Sequence, residues 1–225
     1  MRSDLVTKQA GTTPATERPA LSERPGGSEQ PGRIGQPGRS EQPGRASTAA
    51  CAPAERGYVQ VYTGEGKGKT TAAFGLALRA AGHGKHVFIG QFMKGRPCGE
   101  IAALSLHPEV TVEQFGSPGC IRRDETTSGH VSDAGRGLAR ATAALVSGDY
   151  DLVVLDELDV AVLFGLLSDA DCARLIESRP SRVELVITGR GAPRAVLDRA
   201  DLVTEMREVR HYYRRGVPAR AGIEF

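Results

Sequence analysis

Residues 62–71 read YTGEGKGKTT and are the part of the sequence whose residue types and spacing most clearly suggest chemistry. A phosphate-binding loop usually has the pattern G-x-x-x-x-G-K-[ST]. Counted back from the Gly-Lys-Thr of this stretch, the position of the first glycine holds Thr63, and Gly64 leaves only three residues between the two glycines. The stretch is thus a phosphate-binding loop that is one residue short, which raises the question of what such a loop binds.

A glycine-rich loop between a strand and a helix binds anions because its backbone amides can converge on phosphate oxygens, and the alternating glycines of residues 64–68 permit this. The following helix adds the positive end of its dipole, and Lys69 adds a mobile charge. A hydroxyl of Thr70 or Thr71 can bind Mg²⁺. A flexible surface turn is the alternative, but a strand-like run and a helix-like run flank the loop as a nucleotide site requires.

The second element of such a site is DLVVLDELD at residues 151–159. This apolar strand ends in Asp156 and Glu157, which places both carboxylates at the carboxyl edge of a parallel sheet, where they can hold Mg²⁺ directly or through water. Alone, the stretch also fits a solvated acidic loop after a core strand. Combined with the glycine-rich loop, it predicts a site for a magnesium–nucleotide complex.

Two arginines are further candidates. The stretch VITGRGAP at residues 186–193 delivers Arg190 onto a turn at the same edge, where it could bind a phosphate or a neighbouring carboxylate, and Arg79 in the first helix could do likewise. A surface ion pair explains either arginine equally well, although position favours Arg190. These residues indicate a magnesium–nucleotide site but do not select a reaction.

The elements that must position these residues follow an alternating pattern of apolar, strand-like runs and helical runs, which predicts an α/β fold. We expect a single P-loop NTPase-like, doubly wound, mostly parallel sheet of about five or six strands, with helices on both faces. The helix signals include Ser132 and Ser168 as N-caps, Gly82 and Gly148 as stops, and Pro193 in a first turn. The predicted strands are residues 58–63, 86–93, 111–116, 151–156, 184–189 and 202–209, and the predicted helices are residues 70–84, 99–107, 132–148, 168–180 and 192–200.

Residues 1–56 differ in composition from the rest of the chain, because they repeat a Pro-Gly unit and contain no aromatic residue. Such a segment cannot bury enough apolar surface to offset the entropy of ordering, so we predict a disordered tail. Residues 57–225 are long enough for one compact domain. This domain has as many basic as acidic residues, so the net charge of +2 comes from the tail and there is no electrostatic case for nucleic-acid binding.

Other functional classes are disfavoured by composition. The sequence has no apolar run long enough to span a bilayer and no apolar signal core. The cysteines are scattered without C-x-x-C spacing, which fits a reduced cytoplasmic protein without a zinc site, and the five histidines do not cluster. The four cysteines are Cys51, Cys98, Cys120 and Cys172.

Seven blocks carry a resemblance to a known family: YTGEGKGKTTAAFGLALRAAGHGKHV, QFMKG, DLVVLDELDVA, Arg179-Pro180, VITGRGAP, ADLVTEMREVRH and GIEF. In this order they resemble the P-loop type of corrinoid adenosyltransferase, which acts on cob(I)alamin or cob(I)yrinic acid a,c-diamide. The resemblance spans residues 57–225 and includes the short loop, normally G-N-G-K-G-K-T-T. In this family a cobalt(I) corrinoid attacks the ribose C5′ carbon of ATP and the whole triphosphate leaves. The loop then binds a leaving group and need not present the terminal phosphate to water.

The resemblance implies roles for individual residues. Residues 64–71 hold the triphosphate, and Lys69 neutralises its charge, while Thr70 and Glu157 contact Mg²⁺. Lys69, Thr70 and Glu157 form the catalytic set, and no general base is needed because cobalt(I) is already a strong nucleophile. The implied ATP-binding residues are Gly64, Glu65, Gly66, Lys67, Gly68, Lys69, Thr70, Thr71, Arg79 and Arg190.

Two places depart from the family pattern. Glu65 replaces the usual asparagine and adds a negative charge beside the triphosphate. The stretch FGSPGCIRR stands where many members have G-F-T-W, aromatic residues that displace the lower cobalt ligand. We favour an ordinary variant in which other apolar side chains take this role; a preference for corrinoids without a tightly bound lower ligand, or lost activity, is the alternative. The candidates for the corrinoid region are Phe115, Cys120, Ile121 and Arg122, with residues 212–215 as pocket or surface residues.

The expected substrates are a corrinoid and ATP, with Mg²⁺ as cofactor and an electron donor such as a flavoprotein or reductase as partner. The sequence leaves a homodimer open. Two other functions also remain open. One is a generic P-loop ATPase or nucleotide kinase, which would release ADP, and the other is a non-catalytic, nucleotide-binding regulatory module.

Overall fold

The computed structural model describes residues 56–96, 98–117, 119 and 121–224. The predicted disordered tail, apart from Arg56, lies outside the described residues, and so does the corrinoid-region candidate Cys120. Among the residues described, no helix has both the length and the apolar character needed to cross a membrane.

Six parallel strands form one sheet, in the order β3-β2-β4-β5-β1-β6. This confirms the predicted α/β class and the expected parallel sheet. All six predicted strands are present, with ends within two residues of the predicted ones except at the end of the last. The strands are β1 (Val59–Thr63), β2 (Val87–Phe92), β3 (Val110–Phe115), β4 (Leu152–Asp156), β5 (Glu184–Thr188) and β6 (Leu202–Glu205).

Helices cover both faces of the sheet, because alternate residues of each central strand point to opposite sides. In β2, Phe88 packs in one apolar cluster with α3, α4, α5 and α6, whereas Ile89 packs in the other cluster with α1 and α2. The helices are α1 (Lys69–Ala81), α2 (Gly99–Leu104), α3 (Ser128–Ser147), α4 (Leu158–Leu163), α5 (Asp169–Glu177) and α6 (Arg194–Leu197).

The helix boundaries test the capping signals. Ser168 caps α5 by accepting a hydrogen bond from the Asp171 amide, and Gly148 ends α3 in the left-handed conformation, as predicted. The prediction of Ser132 as an N-cap was wrong. Helix α3 begins four residues earlier, where the Thr127 side chain accepts from the His130 amide, and Ser132 lies inside the helix.

The strand order determines where the site forms. Strands β4, β5 and β1 are neighbours, so the loops that follow them meet at one carboxyl edge, which is where ligands bind in open α/β sheets. The sixth strand is shorter than predicted and ends at Glu205 instead of residue 209. Directly after this strand end, the Met206 carbonyl accepts a hydrogen bond from the Gly66 amide of the glycine-rich loop, at 2.6 Å.

Candidate active site

A cavity of about 930 Å³ lies along the glycine-rich loop at the carboxyl edge of the sheet. The glycine-rich loop and the start of α1 line the cavity, and so does the C-terminal segment after β6. Lys94 after β2, Glu157 after β4 and Arg190 after β5 also face this cavity. The structure therefore gathers these five separate parts of the chain around one site.

Lys69 is buried at the base of the loop, with only 7% of its surface exposed. Its ammonium donates to the carbonyl oxygens of Gly64 at 2.6 Å and Gly66 at 2.8 Å. Burial lowers the pKa of Lys69, and the nearby Glu157 carboxylate opposes that shift. The side chain is thus a partly desolvated cation that faces the cavity, and an anion bound there would gain a strong interaction with it.

Asp156 is fully buried below the cavity and each of its oxygens accepts two hydrogen bonds. Oδ1 accepts from the hydroxyls of Thr70 and Thr188, both at 2.7 Å. Oδ2 accepts from the Gln91 amide at 2.9 Å and from the Lys94 ammonium at 3.1 Å. A direct bond from Asp156 to Mg²⁺ would displace one of these donors, so the geometry favours an indirect role for this predicted metal ligand.

The contact with Asp156 also fixes the orientation of the Thr70 hydroxyl. Its single proton points to the carboxylate, so its lone pairs remain available on the side of the cavity that Thr70 lines. Glu157 lies on the same cavity, and no group of three or more acidic, histidine or cysteine side chains in the described part of the chain could hold a metal ion. A hydroxyl and one carboxylate suit Mg²⁺, which usually takes few protein ligands and completes its shell with phosphate and water.

Glu157 has a backbone φ of +60°, which is uncommon for a residue with a side chain. Its amide donates to the Thr188 hydroxyl at 3.1 Å, which holds this turn in place. Burial and the neighbouring Asp156 raise the pKa of the Glu157 carboxyl. A bound cation would favour its charged form, as expected for a metal-binding carboxylate.

Lys94 reaches Asp156 because the loops after β2 and β3 pack backbone against backbone. A Cβ atom on Gly95 would lie 2.2 Å from the Gly116 carbonyl oxygen, so only glycine permits this approach. Met93, just before Lys94, has a φ of +59° and donates its amide to the Phe115 carbonyl at 3.0 Å. The strained turn and the paired glycines therefore direct the Lys94 ammonium toward the site.

The charged residues at the mouth of the cavity are already paired with each other. Arg190 donates to Glu65 at 3.2 Å, and both side chains are exposed. Glu65 thus lies next to a predicted nucleotide-binding arginine. Lys67 donates to the Ile223 carbonyl at 2.9 Å in the C-terminal segment, and Thr71 lines the cavity without a described hydrogen bond from its side chain.

The structure does not bring Arg79 to this cavity. Arg79 lies in the last turn of α1, ten residues beyond Lys69, which corresponds to about 15 Å along the helix axis. It lines a second cavity of about 380 Å³ at the amino edge of the sheet, together with Asp151 and Glu184. Its assignment to the nucleotide remains a prediction from resemblance.

The described candidates for the corrinoid region also lie away from the main cavity. Phe115 is buried in the core, where its ring packs against Phe92 with centroids 5.7 Å apart. Ile121 is half-buried and Arg122 is exposed in front of a short 3₁₀ turn. By contrast, Tyr213 and Arg214 of residues 212–215 do line the cavity.

Three residues of the site were missed by the sequence reasoning, namely Gln91, Lys94 and Thr188. Each lies at or just after the carboxyl end of a predicted strand, and that position is the signal that could have identified it. Their convergence on Asp156 depends on β2 and β5 lying on either side of β4. The order of the strands in the sheet cannot be predicted from the alternation of strands and helices along the sequence.

A second buried carboxylate, Asp159, lies in the first turn of α4. It is fully buried, and neither oxygen has a hydrogen-bond partner in the described structure. Burial, with a smaller contribution from Glu157, raises the pKa of Asp159 from 3.8 to about 7. Because the folded state binds this proton more tightly than the unfolded state, stability is lost as the pH rises from about 4 to about 7.

We therefore expect Asp159→Asn to stabilise the protein at pH 8 and to have little effect near pH 4.5. The neutral amide has the same shape but avoids the cost of a buried charge, which is at most about 4 kcal/mol for a shift of this size. Urea unfolding at several pH values, with a metal chelator present, measures the effect. The exposed Asp149→Asn is the control, and an Asp159→Asn effect that does not change with pH would contradict the assignment.

Comparisons with known proteins agree with this geometry. Residues 55–225 match the family described as ATP:corrinoid adenosyltransferase BtuR/CobO/CobP. The corrinoid adenosyltransferase of Escherichia coli (strain K12) is 39% identical over 178 residues, which cover 78% of this chain and 89% of that protein. The corrinoid adenosyltransferase CobA of Salmonella typhimurium is 40% identical over 177 residues, which cover 78% and 89%.

A third relative, the corrinoid adenosyltransferase of Pseudomonas aeruginosa, is 39% identical over 180 residues, which cover 76% of this chain and 85% of that protein. The match to the family therefore includes every element of the sheet and the whole glycine-rich loop. The chain belongs to the ATP:corrinoid adenosyltransferase family.

Proposed function

We propose that this protein transfers the 5′-deoxyadenosyl group of ATP to the cobalt(I) of a corrinoid and releases triphosphate, with residues 57–225 as the catalytic domain. The observation that carries the proposal is the short phosphate-binding loop, with the buried Lys69 at its base, on a large cavity in a chain of this family. The reaction belongs to the biosynthesis or salvage of adenosylcobalamin.

The chemical step needs little from the protein beyond geometry and charge. The electron pair of cobalt(I) forms the bond to C5′, the C5′–O bond breaks, and its electron pair leaves with the triphosphate. Negative charge therefore grows on oxygens that the loop amides and Lys69 would bind. Stabilisation of this leaving group, together with alignment of the two substrates, lowers the barrier without a proton transfer.

The pairs at the cavity mouth fit a site for a highly charged ligand. Arg190 and Arg214 each have a carboxylate partner, Glu65 and Glu208, respectively. Both arginines and Glu65 are exposed and Glu208 is half-buried, so the pairs contribute little to stability and can exchange partners at small cost. We infer that triphosphate draws these arginines from their carboxylates, which gives Glu65 the role of holding Arg190 beside the loop before ATP binds.

Mg²⁺ is the metal that the site would hold with ATP. Thr70 and Glu157 are the proposed ligands, and Asp156 would orient Thr70 without touching the metal. When bound, the ion would neutralise part of the triphosphate charge and fix its conformation. The same two residues and Lys69 are the proposed catalytic set.

Three further features belong to the proposal. Cobalt(I) arises from cobalt(II) by one-electron reduction, so an electron donor such as a flavoprotein or reductase is required. The proposed location is the cytoplasm, because ATP and reductants of this kind are available there.

A homodimer is the proposed assembly. The edge strand β6 exposes Leu202 and Val203 and could pair with a second copy of the chain.

The test is to mix the purified full-length chain with ATP, Mg²⁺ and chemically reduced cob(I)alamin under anoxic conditions. We expect a light-sensitive, alkylated corrinoid spectrum and one triphosphate per corrinoid. ADP and phosphate with an unchanged corrinoid would overturn the proposal in favour of an ATPase. ATP binding without any turnover would favour a nucleotide-binding regulatory module.

A further inference from the structure

The C-terminal segment 206–224 is in direct contact with the phosphate-binding loop. The Met206 amide donates to the Thr63 carbonyl at 2.8 Å, and the Met206 carbonyl accepts from the Gly66 amide at 2.6 Å. A Cβ atom on Gly66 would lie 2.7 Å from the Met206 carbonyl oxygen. The glycine-rich loop is therefore fitted against this segment, which takes the hydrogen bond of the Gly66 amide.

A second contact joins the far end of the same segment to the loop. The Lys67 ammonium donates to the Ile223 carbonyl at 2.9 Å and to the Glu224 carboxylate at 3.3 Å. Lys67 is a residue of the loop itself and lines the cavity. The segment is thus attached to the loop at both of its ends, and several residues between these ends line the cavity.

Glu224 is the centre of the second contact. Its carboxylate accepts from the Tyr212 hydroxyl, from the Arg220 amide at 2.8 Å and from the Arg220 guanidinium at 3.4 Å, in addition to Lys67. The Arg220 guanidinium also lies over the Tyr212 ring, 5.0 Å from its centroid. Only 15% of the Glu224 side chain is exposed.

These hydrogen bonds keep Glu224 charged. They lower the pKa of the Glu224 carboxyl to about 2, with the Tyr212 hydroxyl as the largest cause and Arg220 as the next. A carboxylate held by three donor groups on its own segment is a fixed acceptor. Two of the three ammonium protons of Lys67 then have defined acceptors, which restricts the side chain to the cavity wall.

We propose that Glu224 is a positioning residue of the nucleotide site, which acts through Lys67 to hold the loop in the conformation that receives the triphosphate. The inference rests on the proposed function, because it takes ATP to be the ligand of the loop. A preorganised loop binds its ligand more tightly, since less ordering accompanies binding. Loss of Glu224 therefore weakens ATP binding and raises KM, with little effect on kcat.

The test compares Glu224→Gln, Lys67→Met and the double variant in the full-length chain. Calorimetry with Mg-ATP measures Kd, and the transfer assay separates KM from kcat. We expect Glu224→Gln to weaken ATP binding roughly tenfold with kcat changed less than about twofold. In the Lys67→Met background, the same substitution should add less than about twofold, because the partner through which it acts is gone.

The control is Glu177→Gln. Glu177 is the last residue of α5 and forms an exposed ion pair with Arg199, so its substitution should leave ATP binding unchanged. An effect of Glu224→Gln that is equal in both backgrounds, or no effect, overturns the inference. If Glu224→Gln does not fold, Tyr212→Phe removes one donor to Glu224 and should show a smaller weakening with the same dependence on Lys67.

The two hypotheses can fail separately, because calorimetry requires no corrinoid. ATP binding that is independent of Glu224 overturns the positioning role, whatever the product assay shows. ATP binding that depends on Glu224 and Lys67 in a protein that forms no alkylated corrinoid overturns the proposed reaction and leaves the positioning role intact.

Discussion

Replacing Lys69 with alanine is expected to lower kcat/KM for adenosyl transfer by about 10³-fold, which corresponds to about 4 kcal/mol of transition-state stabilisation. Lys69 is buried at the loop, and its ammonium lies among carbonyl oxygens that cannot neutralise it. The charge on the departing triphosphate increases as the C5′–O bond breaks, so the interaction is stronger in the transition state than with bound ATP. The loss should therefore appear mainly in kcat.

The same substitution should leave the free energy of unfolding almost unchanged or slightly higher. The substitution removes the two hydrogen bonds from Lys69 to loop carbonyls, but it also ends the desolvation cost of a buried charge, which the lowered pKa of Lys69 reflects, and the two effects oppose each other. Lys85→Ala, an exposed lysine before β2 at the opposite edge of the sheet, is the control. Activity within about tenfold of the parent enzyme would exclude Lys69 from the leaving-group role, and a large drop in melting temperature would reassign it to structure.

The parallel sheet could be predicted from the sequence because its signal is local. Strand β4 reads LVVLD and is buried throughout. Such near-continuous apolar runs are typical of strands in a sheet that is covered on both faces. Helix α5 was equally clear, since Ser168 and Asp171 form a capping box in front of an amphipathic pattern.

The differences arose where tertiary contacts override local signals. Helix α4 was not predicted, because no element was assigned to the residues between Glu157 and Ser168, and the helix begins directly after the positive φ of Glu157. The four residues after Glu205 have a strand-like pattern, yet they leave the sheet to contact the glycine-rich loop. Neither the positive φ of Glu157 nor the contact of the chain after Glu205 with the loop has a sequence pattern that identifies it.

The candidate site likewise contains residues that local motifs identify and residues that only tertiary contacts identify. Lys69, Thr70 and Glu157 lie in continuous motifs, so their place at the cavity could be predicted. Lys94 and Glu224 act across the fold, and their roles depend on strand order and on the path of the C-terminal segment. Local motifs thus identify what the site binds, whereas the residues that orient those motifs require the three-dimensional structure.

Removing the carboxylate of Asp156 is expected to have the largest effect on stability, a loss of about 3 to 5 kcal/mol in the free energy of unfolding for Asp156→Ala. Asp156 is fully buried and accepts from four side chains. Its removal leaves the Lys94 charge partly buried without a partner and leaves the Gln91 amide and the Thr188 hydroxyl without their acceptor. A cavity at the end of β4 adds to this cost.

Urea unfolding at pH 7, without nucleotide, measures this loss, and Asp124→Ala, an exposed acid in a 3₁₀ turn, is the control. Asp156→Asn should lose less stability, because one acceptor oxygen remains, although its amide nitrogen cannot accept from a second pair of donors. Lys94→Met in the Asp156→Ala background should restore part of the loss, since it removes the unpaired charge. That partial recovery separates a charge-network role from simple loss of packing, and an Asp156→Ala protein as stable as the control would contradict the described network.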